Sequence, residues 1–257
     1  MITDYIKRHF LYNTMTTTIV SAFVANVNSR RDRTLEKYIE YGKQLLETKA
    51  PKIIFIDECV FETFADCINE YTHLISIKKE DSYLYQYMSL ITDYNLSTTC
   101  PEKDTLDYIF TMCYKTEWIK EAILLNYFKT EQFVWIDFGI AHVCVDLSKD
   151  QFNDAIVRVS NQSYDKIRIA SIWNMHYKLN VNLYNTVVWY FAGGVFGGKM
   201  EALMIFANEM KKMCIELITV KKTIMWEVNI WVLIYNLMPD MFHGYSCNHN
   251  STILLNY

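Results

Sequence analysis

Glycine and proline are scarce in this chain, with seven and three among 257 residues. That excludes collagen-like and low-complexity architectures and makes each glycine that does occur informative. There is no basic excess. The formal net charge is −4, which argues against non-specific nucleic-acid binding as the main role. The seven cysteines contain no Cys-x-x-Cys pair and are odd in number, so neither a zinc ribbon nor a disulfide framework is expected. The opening Met1–Arg8 does not follow the basic-then-apolar order of a signal peptide. The longest uncharged apolar stretches, near 185–198 and 228–238, are too short to span a bilayer. A soluble, cytoplasmic chain with reduced, mostly core thiols is the expectation.

What is present is apolar. Hydrophobic residues make up 51% and charged residues 21%, enough for a sizeable core. Thr16–Phe23, Lys52–Ile56 and His73–Ile77 read as strands. Between the first two, Leu35, Tyr38, Ile39, Leu45 and Leu46 fall on one helical face. Residues 61–71 read as a further helix. Ser29 and Asp32 have capping-box spacing ahead of the first helix, and Arg30, Arg31 and Arg33 sit in the same polar loop, where arginines can meet phosphates. The β-α-β-α-β order predicts parallel strands with right-handed crossovers. Two helices are expected over 104–114 and 117–128, with Lys115 between them. Residues 146–163 read as a loop with a short helix. Asp165–Ile172 and Thr186–Phe191 read as further strands, followed by an amphipathic helix through Leu203–Leu217 and a last one over Thr223–Leu237. No repeat or linker is visible, so the chain reads as one α/β domain.

Four stretches carry candidate chemistry. In Phe133-Val134-Trp135-Ile136-Asp137-Phe138-Gly139-Ile140-Ala141-His142 a buried strand stops at Asp137. In open α/β sheets ligands bind at such strand ends, and His142 follows within reach of the same rim. The bland alternative is a strand end with a solvated aspartate. Phe191–Gly198 holds four of the seven glycines between a strand and a helix. It matches neither a dinucleotide fingerprint nor a P-loop, and it reads either as a tight turn or as backbone that a ligand can approach. Glu227 is the one charged residue between Thr223 and Pro239, either a helix-start acid or a carboxylate held for a purpose. His243 and His249 lie in a polar tail able to offer a metal ligand.

Together these residues resemble the HtrL/WlaTC family of bacterial-type glycosyltransferases. The landmarks are Thr17–Phe23, the Arg33–Tyr41 helix with Gly42, Pro51–Phe55, Lys115 before a helix, Phe133–Ile140, Gly193–Gly198 and the closing Asn256-Tyr257. The resemblance implies a GT-A-like fold with a Rossmann-like, mostly parallel central sheet flanked by helices, residues 1–150 binding the nucleotide and 151–257 the acceptor. It implies a sugar donor, with UDP-sugar favoured, a glycan acceptor, and a divalent cation, Mn²⁺ or Mg²⁺. Such enzymes carry an Asp-x-Asp pair. Here Asp137-Phe138-Gly139 keeps the first aspartate only, so His142 or His249 is expected to complete a mixed oxygen–nitrogen site with Asp137, which suits Mn²⁺ better. Ser21, Ala22, Phe23, Arg33, Lys115, Asp137, Gly193 and Gly194 are the expected donor-binding residues, with Lys115 a point charge on phosphate. The stretch from Gly193 to Glu227 also looks like the acceptor half of blood-group A/B type galactosyltransferases, and this makes Glu227 the catalytic carboxylate. Trp189 and Trp226 are candidates for stacking on sugars. The rival readings are a non-catalytic nucleotide-sugar or glycan binder on the same fold and, behind it, a nucleotidyltransferase.

Overall fold

The computed structural model describes residues 16–27, 30–174 and 181–257. Among these residues seven strands form one sheet: β1 (Thr17–Phe23), β2 (Lys52–Asp57), β3 (Thr72–Ile77), β4 (Gln132–Ile136), β5 (Ile167–Ser171), β6 (Phe191–Lys199) and β7 (Phe242–Ser246). Their order is β3-β2-β1-β4-β6-β5-β7. The ladders β2–β3, β1–β2, β1–β4 and β5–β7 are parallel. β6 alone runs against its neighbours β4 and β5. The helices are α1 (Leu35–Leu46), α2 (Leu106–Cys113), α3 (Lys115–Leu125), α4 (Lys149–Ser160), α5 (Met200–Lys221), α6 (Glu227–Leu237) and the short α7 (Thr252–Leu255). The expected α/β class, with a mostly parallel central sheet covered by helices, is what the chain adopts. Among the described residues no helix is long and apolar enough to cross a membrane.

Ile53–Ile56 of β2 and Phe133–Ile136 of β4 are apolar throughout because both faces are covered. Along β4 the period-two rule divides the side chains. Phe133 and Trp135 pack with Phe196 and Trp231 on one face, and Val134 and Ile136 pack with Ile156 and Val195 on the other. Each such large side chain, fully buried, contributes about 1.5–3 kcal/mol of transfer free energy. Together they fix β4 as the middle of the sheet.

Several sequence expectations differ from the structure. Gly193–Gly198 is not a turn but the body of β6, and the segment 186–190 before it is irregular. The stretch expected as a helix at 61–71 is a 3-10 helix, Glu58–Cys67. Residues 149–160 form a three-turn helix whose start carries a Ser148–Gln151 capping box. The cap of α1 is Thr34, whose side chain accepts from the Lys37 amide; Ser29, expected there, lies outside the described residues. Part of the histidine-containing tail is the edge strand β7.

Candidate functional site

The C-terminal ends of β1 and β4 open on a cleft lined by Ala22, Phe23, Arg33, Asp137, Gly139 and His142 and floored by Trp118 and Trp135. Asp137 sits there because the chain leaves β4 in a tight turn. Its amide still donates to the Gly194 carbonyl (2.9 Å), and its carbonyl accepts from the Ile140 amide. Phe138 anchors the turn by stacking on Phe23, ring centroids 5.0 Å apart, and meeting the edge of Phe64. A Cβ on Gly42 of α1 would overlap the Phe138 ring, so the anchor requires glycine there.

Beneath the cleft lies a buried ionic triad. Lys115, the first residue of α3, is 1% exposed. Its Nζ is 2.9 Å from Asp137 Oδ1, 3.1 Å from Glu227 Oε1 and 3.0 Å from the Gly193 carbonyl. An ammonium has three donors, and three acceptors surround it. Burial would lower its pKa, yet Asp137 and Glu227 outweigh burial and hold it above the ordinary value. Asp137 Oδ1 also accepts from Trp135 Nε1 at 2.7 Å, and the Asp137 side chain remains 33% exposed to the cleft. Glu227 is the first residue of α6 and 8% exposed. Two carboxylates and one ammonium leave one net negative charge at the base of the cleft.

Gly193 is what lets these groups meet. A Cβ there would collide with Glu227 Oε1 and stand 3.2 Å from Lys115 Nζ. The missing side chain is thus filled by the protein's own carboxylate. The same applies further along β6, where a Cβ on Gly197 would press into the Phe133 carbonyl. The expectation that the glycine run offers bare backbone to a sugar is corrected accordingly.

The predicted residues therefore separate into groups. Asp137, Glu227, Lys115 and Gly193 come together, with Gly194 beside Asp137. Ala22, Phe23 and Arg33 line the cleft, whereas Ser21 is fully buried within β1. Lys115 is not available to phosphate, since its donors are spent on the triad. Asp137, His142 and His249 are not assembled: among the described residues no group of three or more His, Cys, Asp or Glu side chains could hold a metal ion. His142 Nε2 is 2.8 Å from Arg33 Nη1, and His249 packs edge-on against Trp189, centroids 4.6 Å apart. Among the described residues that line the cleft Asp137 is the one carboxylate, its Oδ1 is already taken by Lys115 and Trp135, and this donor set does not fit a divalent cation held by these residues. Trp226 is buried and donates through Nε1 to Asp104 at 3.2 Å, so it cannot stack on a sugar.

Sequence reasoning missed the cleft's helical wall, Tyr108, Thr111 and Met112 of α2. Burial pushes the Tyr108 phenol well above its usual pKa, and Glu227 and Asp137 push it further. One weak signal was the aromatic density of 104–118, which reads equally well as core.

A model for a family described as bacterial protein of unknown function, HtrL_YibB, matches residues 15–250. No curated protein matches the chain. Among solved structures it is similar to Rv0371c from Mycobacterium tuberculosis H37Rv, with 8% identity, 91% of this chain and 88% of that one covered, and a TM-score of 0.41. The same protein in complex with manganese gives 8% identity, 91% and 89% coverage and a TM-score of 0.41. The 4-diphosphocytidyl-2C-methyl-D-erythritolsynthase of Anaerococcus prevotii gives 8% identity, 94% and 91% coverage and a TM-score of 0.40.

Proposed function

We propose that this chain, which belongs to the HtrL_YibB family, is a glycosyltransferase that moves a sugar from a nucleotide-sugar, a UDP-sugar in the first instance, to a hydroxyl of a glycan acceptor. The observation that carries the reading is the triad, in which one buried ammonium ties Asp137 and Glu227 together beyond the C-terminal end of β4. In this reading residues 1–150 supply the nucleotide side of the cleft and residues 151–257 the acceptor side. The seven cysteines are all free, which fits a reducing, cytoplasmic setting.

The chemistry needs a carboxylate facing the anomeric carbon and a means of receiving a leaving diphosphate. With inversion Glu227 takes the acceptor's proton as the acceptor oxygen bonds to the anomeric carbon; with retention it first bonds to that carbon itself, and the acceptor oxygen then displaces it, the acceptor's proton passing to the freed carboxylate. The bond from that carbon to the diphosphate breaks, and the electron pair leaves with the diphosphate. Lys115 keeps Glu227 and Asp137 at fixed separation, and Asp137 Oδ2 faces the cleft as an acceptor for sugar hydroxyls. Tyr108, which lines the cleft, donates to the departing diphosphate oxygen.

The test is donor hydrolysis and transfer across a panel of nucleotide-sugars. Glu227→Gln is expected to lower turnover about a hundredfold or more, the usual size of an acid–base contribution, with donor affinity kept. Retained turnover would return Glu227 to a structural role. Donor binding with no turnover on any acceptor would favour the binding-protein reading. Pyrophosphate release from a nucleoside triphosphate would select a nucleotidyltransferase.

A further inference from the structure

Arg33 and His142 stand 109 residues apart in sequence and meet at the rim of the cleft. Arg33 immediately precedes the Thr34 cap of α1, and His142 lies in the turn after β4. Arg33 Nη1 is 2.8 Å from His142 Nε2, and His142 Nδ1 is 2.6 Å from the Gly139 carbonyl. A guanidinium can only donate. Nε2 is therefore the acceptor, and Nδ1 carries the ring's single proton and gives it to Gly139. The imidazole has no lone pair left for a metal.

The pairing spends one of the five N–H donors of the guanidinium. Its Nε is 3.9 Å from Asp32 Oδ2, beyond hydrogen-bonding range, and Asp32 is itself paired with Arg30. Among the described residues that line the cleft, Arg33 is the one permanent cation. Of the cations close by, Lys115 has all three donors committed to the triad, Arg30 is paired with Asp32, and Lys103, over the Tyr108 ring, is paired with Asp104. An anionic ligand entering this cleft thus finds one fork-shaped donor, held in place by a neutral histidine whose far side is fastened to the Asp137–Gly139 turn.

We infer that Arg33 is the residue that receives the diphosphate of the sugar donor, and that His142 is its positioning residue rather than a metal ligand. The identity of the anion rests on the glycosyltransferase reading. The clamp itself rests on the two distances above.

The test is titration calorimetry with inorganic pyrophosphate and with UDP, each in excess EDTA, on folded variants checked by thermal melting. Arg33→Ala and His142→Ala are each expected to weaken binding about tenfold or more, the size of one charge-assisted hydrogen bond. His142→Gln keeps an oxygen able to accept from Arg33 and is expected to restore affinity to within about threefold of wild type. Adding His142→Ala to Arg33→Ala is expected to cost nothing further, because the two act as one unit. A His142→Gln protein as weak as His142→Ala, additive losses, binding that appears only when Mn²⁺ replaces EDTA, or no binding of either anion by wild type would each overturn the inference. Sugar transfer that persists in His142→Ala with unchanged UDP affinity would sink the clamp and spare the glycosyltransferase. Binding governed by Arg33 and His142 with no transfer from any donor would do the reverse.

Discussion

Replacing Lys115 by methionine keeps the length of the stem and removes the charge. Glu227, 8% exposed, would be left without its partner among apolar neighbours. Breaking a buried ion pair by removing one member typically costs about 3–5 kcal/mol. Asp137 is one-third exposed and can recover water, so the low end applies, about 3 kcal/mol. For a chain of this size each kcal/mol moves the melting temperature by about 2–4 °C. The expected drop is therefore about 6–12 °C, with the protein still folded at room temperature. Differential scanning calorimetry reads the drop directly. The double variant Lys115→Met/Glu227→Gln should recover roughly half of it, because a neutral amide is less costly to bury than a lone carboxylate. A single variant melting within about 2 °C of wild type, or a double variant no better than the single, would mean that the ammonium does not hold these carboxylates and that the triad geometry is misread.

Three further outcomes follow from the same contacts. Gly193→Ala should destabilise by about 1–3 kcal/mol and lose turnover, since the new methyl group must displace Glu227; full turnover in an assay of sugar transfer would contradict that. Gly42→Ala should destabilise by a similar amount of about 1–3 kcal/mol by evicting the Phe138 ring that anchors the Asp137 turn, and a red-shifted or broadened aromatic spectrum would report it. The pKa of Lys115 is raised in the folded state above its ordinary value of 10.5. Its stabilising contribution is therefore complete below that pH and is lost as pH climbs through the higher folded value. Wild type should lose stability above about pH 10.5 more steeply than Lys115→Met, as alkaline melts would show.

The first half of the fold was legible because buried parallel strands announce themselves as continuous apolar runs. Ile53–Ile56 and Phe133–Ile136 each end on an acid, and both strands lie where expected. β6 was illegible for the opposite reason. Four glycines among its nine residues leave no side-chain alternation to read, and each is accounted for by what crowds it in space. β7 was hidden because His243-Gly244 interrupts the apolar pattern on a strand that comes last in the sheet order of the described residues. Within the site, Asp137 could be found from the chain alone as a carboxylate closing a strand. That Lys115 is saturated could not, because Glu227 is 112 positions away. Nor could the tautomer of His142, which is dictated by an arginine from a distant loop.

β6 is the seam of the molecule. The parallel block β3-β2-β1-β4 is joined to β6-β5-β7 by the single ladder between β4 and β6. Asp137 extends from one side of that ladder and Gly193 lies on the other, while α3 and α5 pack together across it, so a local parting of this one zip would draw Asp137 away from Gly193 and loosen the triad. Under the proposed function, inactivation by heat or denaturant would then run ahead of unfolding, and a ligand spanning the seam would act as a suture.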